Sequence, residues 1–389
     1  MHDFWQQTLS EARIFRRELH AHPELGWQEN RTAARIREEL SRHHINWRSC
    51  AGTGTVGILN PQGSGPHIAL RGDIDALPIE EHSGKPWRST QPGCMHACGH
   101  DGHSATLLSA AIWLKQHEAQ LPGPVSLIFQ PAEEGGHGAK KMIEHGALAG
   151  VDLIYGWHNW PALPFGELFC PEGIVMCGNG TFEITVQGRG GHASQPELCR
   201  DPVLAASAMV MNLQQIVSRR LAPQQANVVS VTSFEAQSAP TVIPETAKLG
   251  GSIRISSEHS REQINQYIRE ICEHTAAAYG VDCEVQIMPR YQATLNHAEP
   301  ARQMRAAWLT ANPALPGLAD MTGPIMASED FSYYLKEIPG AFALIGADDG
   351  NHHHHPCHSI YYDFNDNLLE PVSRLFAQLT GAPLPGSDN

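Results

Sequence analysis

No stretch of this sequence approaches the roughly 20 consecutive apolar residues of a bilayer-spanning helix, so no membrane association is expected. The opening residues, MHDFWQQTLSEARIFRRELH, are amphipathic and charged. They lack the apolar run and cleavage site of a signal peptide, which points to the cytoplasm. Paired cysteines are missing too: the nine present are odd in number and scattered, which excludes a disulfide framework and fits reduced thiols. Positive charge is scarce. The formal net charge of -14 excludes a nucleic-acid or anionic-membrane partner, because both select basic surfaces. Repeats and low-complexity tracts are absent, and the run HHHH at 352–355 reads as part of the folded chain.

What is present is an ordinary globular composition, 41% hydrophobic, over 389 residues. One core rarely holds so long a chain, so two domains are expected. Residues 11–44 read as helical, anchored by Ile14, Leu19, Ile36 and Leu40, with a break at His22-Pro23. Apolar runs at Val56–Leu59, His67–Leu70, Val125–Phe129 and Leu153–Tyr155 predict buried strands, with a helix over Ser104–Gln116 between them. Strands alternating with helices predict an α/β domain around a central sheet. From about residue 180 the pattern becomes β-α-β-β-α-β, beginning with the alternating TFEITVQGRG. The expected organisation is a mixed α/β catalytic domain from 1–179 and 294–389, closing with a helix at Asn367–Leu379. A ferredoxin-like domain is inserted at 180–293.

The 23 histidines cluster beside Cys, Asp and Glu, as a metal site requires. The densest cluster is CMHACGHDGH at 94–103, where Cys98 and His100 stand two residues apart. Thiolate and imidazole together suit a borderline cation such as Zn²⁺. In IFQPAEEGG, Glu133 and Glu134 follow an apolar strand. One carboxylate can bind metal while the other faces the activated water as a base. His158 in YGWHNWP and His358 in HHHHPCHSIYYDF are further candidate ligands. Asp73 and Asp75, at a strand end in LRGDIDALP, are placed to hydrogen-bond to ligating imidazoles. His192 in GRGGHASQP, on a glycine-supported loop of the inserted domain, can polarise a carbonyl as its oxyanion develops.

These ordered motifs, from RRELHAHPELGWQE through FQPAEEGG and MASEDFSYY to CHSIYYDFND, span nearly the whole chain. Together they resemble the aminoacylase-like metallohydrolases, the group of hippurate hydrolase, plant auxin-conjugate amidohydrolases and bacterial N-acyl-amino-acid deacetylases. The resemblance implies a two-cation catalytic domain and a lid domain that also forms a homodimer. By motif, the metal ligands would be Cys98, His100, Glu134, His158 and His358, and Glu133 would be the general base and acid. The cations would be zinc first, with manganese, cobalt or nickel as alternatives. His192 would polarise the scissile carbonyl, in relatives often from the partner subunit, and Arg254 would hold a substrate carboxylate. One departure bears on specificity. Relatives carry Asn where Thr241 stands in SAPTVIPE, a pocket-lining segment, which argues against hippurate as the substrate. The expected reaction is hydrolysis of an N-acyl, preferentially N-acetyl, amino acid. The alternative is a metallocarboxypeptidase or dipeptidase using the same site.

Overall fold

A computed structural model of the chain describes residues 2–386. The chain divides into two compact units. One runs to Val175 and resumes over Leu295–Thr322 and from Asp330; the other comprises Met176–Thr294 and Gly323–Glu329. The second unit therefore begins a little before residue 180 and recruits a short later segment. There Met176 bridges Ile325, and Cys177 N–H donates to the Ile325 carbonyl at 3.0 Å.

The first unit is built on an eight-stranded mixed sheet. Its strand order is Asn46–Cys50, Gly54–Leu59, Val125–Gln130, Ile68–Asp73, Leu153–Pro164, Gly340–Asp348, Glu167–Phe169 and Gly317–Leu318. The middle four are mutually parallel. Such strands are covered on both faces and read as continuous apolar runs, as VSLIFQ and GAFALIGAD do. In the second of these, Ala341, Ala343, Ile345 and Ala347 face a core shared with helices His2–Ala21, His100–Gln116, Ala298–Ala311 and Leu369–Leu379. Phe342, pointing the other way, packs on Phe331 with ring centroids 5.0 Å apart. The helix His100–Gln116 is buried through Leu114 because it lies between the sheet and two other helices.

Three elements differ from their sequence expectation. The helical stretch expected over 11–44 starts earlier, at His2; its expected break at His22-Pro23 is present, parting helices His2–Ala21 and Asn30–Arg42. The central helix starts at His100 rather than Ser104. The strand expected to end at Tyr155 continues to Pro164, so His158 lies within it.

The second unit is a four-stranded antiparallel sheet, ordered Val228–Glu235, Thr246–Ile255, Gly178–Gln187 and Asp282–Pro289. Helices Pro202–Leu213 and Glu258–Tyr279 share its core, which gives the β-α-β-β-α-β order. Phe182, Ile184 and Val186 are buried while Glu183 and Gln187 between and beyond them are exposed, the signature of a sheet with one solvated face. Asp201 caps the first helix by accepting the N–H groups of Val203 and Leu204. Among the described residues no helix is long and apolar enough to cross a membrane, and all nine cysteines are unpaired.

Candidate metal centre

The candidate residues of the first unit gather at the carboxyl edge of its parallel strands, where open α/β sheets generally place their sites. Leu70 pairs with Tyr155, and Asp73 and His158 each lie three residues beyond that pair. On the other side Asp73 pairs with Gln130, three residues ahead of Glu133. Cys98 and His100 enter through a turn at Gly99, which has a φ of +91°. A side chain at Gly99 would collide with the Asn159 amide and the Tyr362 hydroxyl, so only glycine fits. His358 returns from the far end of the sequence. Its N–H donates to the Ala97 carbonyl at 2.7 Å, and its φ of +69° is strained for a residue with a Cβ.

The structure brings together all five residues expected as ligands. Potential ligand atoms of Cys98, His100 and His158 lie within 4.8 Å of one another, as do those of Cys98, Glu134 and His358, and those of His100, Glu133 and Glu134. Cys98 Sγ is 3.2 Å from His158 Nε2. Two atoms in this cluster, His100 Nε2 and Glu134 Oε1, are buried without a hydrogen bond. His358 Nε2 lies 3.2 Å from that oxygen, within ion-pairing distance but out of hydrogen-bonding alignment. A bound cation is what would satisfy such atoms, and the thiol, imidazole and carboxylate set fits a borderline divalent ion.

Charge and orientation agree with that fit. Burial opposes a charged His100, but Asp73 and Asp75 outweigh it and raise the imidazole to about 10, so binding a cation there would release a proton. Contact with Cys357, burial and the charge of Glu134 push the Cys98 thiol well up, which only a cation would reverse. Burial, reinforced by His103, holds His158 neutral. Its Nδ1 lies 2.7 Å from the Asn159 carbonyl, which fixes the tautomer and leaves the Nε2 lone pair facing Cys98. Burial would raise Glu134, yet His358 and His100 bring it below the ordinary carboxylate range.

Around this cluster runs a layer of buried polar groups. Asp75 accepts from His100 Nδ1 at 3.2 Å and from the Glu134 N–H at 3.0 Å. Asp73 meets His103 Nδ1 at 2.6 Å and Arg71 Nη1 at 2.5 Å. Arg71 also reaches Asp330 at 3.1 Å, and the Asp330 N–H donates to Glu133 Oε1 at 3.2 Å. Glu133 is thereby held beside the cluster by a chain of bonds that begins at Asp73. A further buried knot fixes the start of the central helix: Asp101 accepts from His20 Nδ1 at 2.8 Å and faces Arg16 Nη1 at 3.4 Å. Of these, only Asp73 and Asp75 were singled out in sequence. Arg71, His103, Asp330, Arg16, His20 and Asp101 were missed, although the three-residue spacing of His100 and His103 at the start of a helix puts them on one face.

The other three candidates belong to the second unit. His192 lies in a short exposed strand pair, opposite Val242, and Ala193 N–H donates to the Thr241 carbonyl at 2.9 Å. Ser194 N–H donates to His192 Nδ1 at 3.2 Å, so the neutral ring carries its proton on Nε2. Arg254 lies on the strand Thr246–Ile255, opposite Asn179.

The model of Peptidase family M20/M25/M40 matches residues 69–381. An IAA-amino acid hydrolase ILR1-like 5 from Arabidopsis thaliana is 38% identical, over 94% of this chain and 84% of its own length. N-acetylcysteine deacetylase from Bacillus subtilis is 37% identical, over 94% of each. Among solved structures, a dinuclear metal binding peptidase from the M20 family of Bacillus subtilis superposes with a TM-score of 0.82 at 33% identity, covering 96% of this chain and 98% of that one.

Proposed function

The chain belongs to peptidase family M20/M25/M40 and is an enzyme of that metallo-amidohydrolase group, and on that premise we propose that it hydrolyses the amide bond of an N-acyl amino acid. The products are a carboxylic acid and a free amino acid. The observation that carries the reading is the convergence of Cys98, His100, Glu134, His158 and His358 around two buried atoms that make no hydrogen bond, with Glu133 beside them.

Those five residues would hold a pair of divalent cations, one more donor than a single tetrahedral ion takes. When bound, the pair supplies Lewis acidity to the carbonyl and lowers the pKa of water. Zinc suits the thiolate and imidazoles best; manganese, cobalt and nickel are the alternatives. Glu133, aligned by the Asp330 N–H, takes the proton of the attacking water and passes it to the departing amine. His192 donates from Nε2 to the developing oxyanion, the tautomer that Ser194 leaves it. Arg254 grips the substrate carboxylate, and Thr241 helps to shape the pocket. The inserted unit serves as lid and as the interface of a homodimer, through which His192 acts on the partner's substrate. The setting is cytoplasmic.

The test is a panel of N-acetyl amino acids, longer N-acyl amino acids and dipeptides, assayed with protein reconstituted with each metal. Turnover of an N-acetyl amino acid well above that of the matching dipeptide is the expected result. A preference for the dipeptide would replace this reading with a dipeptidase.

A further inference from the structure

The loop between the strand Gly340–Asp348 and His358 carries four consecutive histidines, His352 to His355, for which the proposed reaction has no use. The loop is built, not merely exposed. Asp349 Oδ1 accepts the N–H groups of Asn351, His352 and His353 at 3.0, 2.9 and 3.3 Å. Asp349 Oδ2 takes His353 Nδ1 at 2.7 Å, and His353 Nε2 faces Asp363 at 3.9 Å, so this ring anchors the loop. The other three rings have no such duty. His352 and His354 are exposed and His355 is half-buried. None of the three makes a side-chain hydrogen bond among the described residues.

The His354 and His355 ring centroids lie 4.4 Å apart, and His355 is backed by Tyr361 at 5.5 Å. Rings this close need side-chain rotation, not a new backbone, to aim at one ion at about 2.0–2.1 Å. Imidazole is the commonest protein ligand for borderline cations, and short histidine tracts bind them for that reason. We propose that the His354–His355 pair, joined by side-chain rotation of His352 two residues before it on the same loop, forms a surface site for one borderline divalent cation, apart from the cluster of Cys98, His100, Glu134 and His158. An all-imidazole donor set selects Zn²⁺, Ni²⁺ or Cu²⁺ and rejects Mg²⁺ and Ca²⁺, which prefer oxygen.

The site does not depend on the catalytic reading, and the test keeps the two apart. Zn²⁺ binding is measured by calorimetry and by elemental analysis after gel filtration, first on the full chain carrying Cys98→Ala and Glu134→Gln. The same chain with His352, His354 and His355 changed to Ala is measured beside it. The loop-intact chain is expected to retain one Zn²⁺ more than the loop-altered chain, and Mg²⁺ to bind neither. A second version with Asn at the three positions, and matching melting temperatures of the metal-free proteins, guards against misfolding as the cause. Equal Zn²⁺ content in loop-intact and loop-altered chains overturns the proposal. Failure of the two-cation reading would instead alter the count in the unsubstituted centre and leave that difference of one untouched.

Discussion

The two units carry their candidate residues in opposite ways. In the first, every polar group behind the cluster is buried and held by others: Arg71, Asp73, His103 and Asp330 are each less than 2% exposed. In the second, His192 stands exposed on a two-residue strand, and among the described residues its ring is hydrogen-bonded only to its near neighbour Ser194. The difference teaches which tasks need rigidity. Ligands that share a small cation must be preorganised to fractions of an ångström, which the packed interior does for Cys98, His100 and His158, while the exposed His358 is held by its backbone bond to Ala97. A hydrogen-bond donor that engages substrate can sit on a movable element.

The comparison predicts that damage in the first unit strikes metal, stability and rate together or separably by residue, whereas damage in the second strikes rate alone. Glu133→Gln is expected to lower turnover by about 10²–10⁴ with metal content intact, while Glu134→Gln loses metal. Elemental analysis beside kinetics checks this, and the reverse pattern would exchange the two roles. His192→Ala should cost about 10²–10³ in rate, the scale of one oxyanion donor, with melting temperature and metal content unchanged. Mixed dimers of His192→Ala with Glu133→Ala should regain activity, since one of the two sites is then complete. Verified heterodimers that stay inactive would place His192 in its own chain's site.

Next in size are the effects on stability. Asp101→Ala removes the partner that Arg16 and His20 share, while Arg16 keeps Asp366 and His20 keeps Glu81. The loss, readable in urea midpoints, should therefore fall below about 3–5 kcal/mol, the cost of a buried charge left unpaired. The smallest effect is a pH slope. Burial opposes charge on His20, but Asp101 outweighs it and lifts the imidazole to about 9. A folded-state value above the ordinary one of about 6.5 means the stabilisation is full below that value and lost as pH rises through about 9. His20→Asn should flatten the alkaline decline. An unchanged decline would assign it to other groups.

The parts of this molecule that were legible in sequence are those where residue type alone is informative. Cys98, His100 and the Glu133-Glu134 pair stood out because ligand-type residues crowd into a few positions beside glycines. The β-α-β-β-α-β unit was legible because its half-solvated strands alternate. Arg71 and Asp330 were not, because a single charged residue in a strand or loop gives no sign that it will be buried against another far along the chain. His20 and Asp101 failed for the same reason: their meeting is a fact of tertiary packing. The strand Gly340–Asp348 was not singled out, although GAFALIGAD is as continuous an apolar run as the VSLIFQ that was read as a strand.

That strand has a consequence for synthesis. It lies in the middle of the eight-stranded sheet, parallel to Leu153–Pro164, yet it is among the last elements translated. At about 5–20 residues per second, the ribosome needs roughly ten seconds or more to pass from one strand to the other. For that interval Leu153–Pro164 presents an unpaired, apolar edge to the cell. The intervening segment 176–294 can meanwhile fold on its own local contacts. The nascent chain thus passes through a stage in which most of the second unit is made, all but Gly323–Glu329, while the sheet is still open.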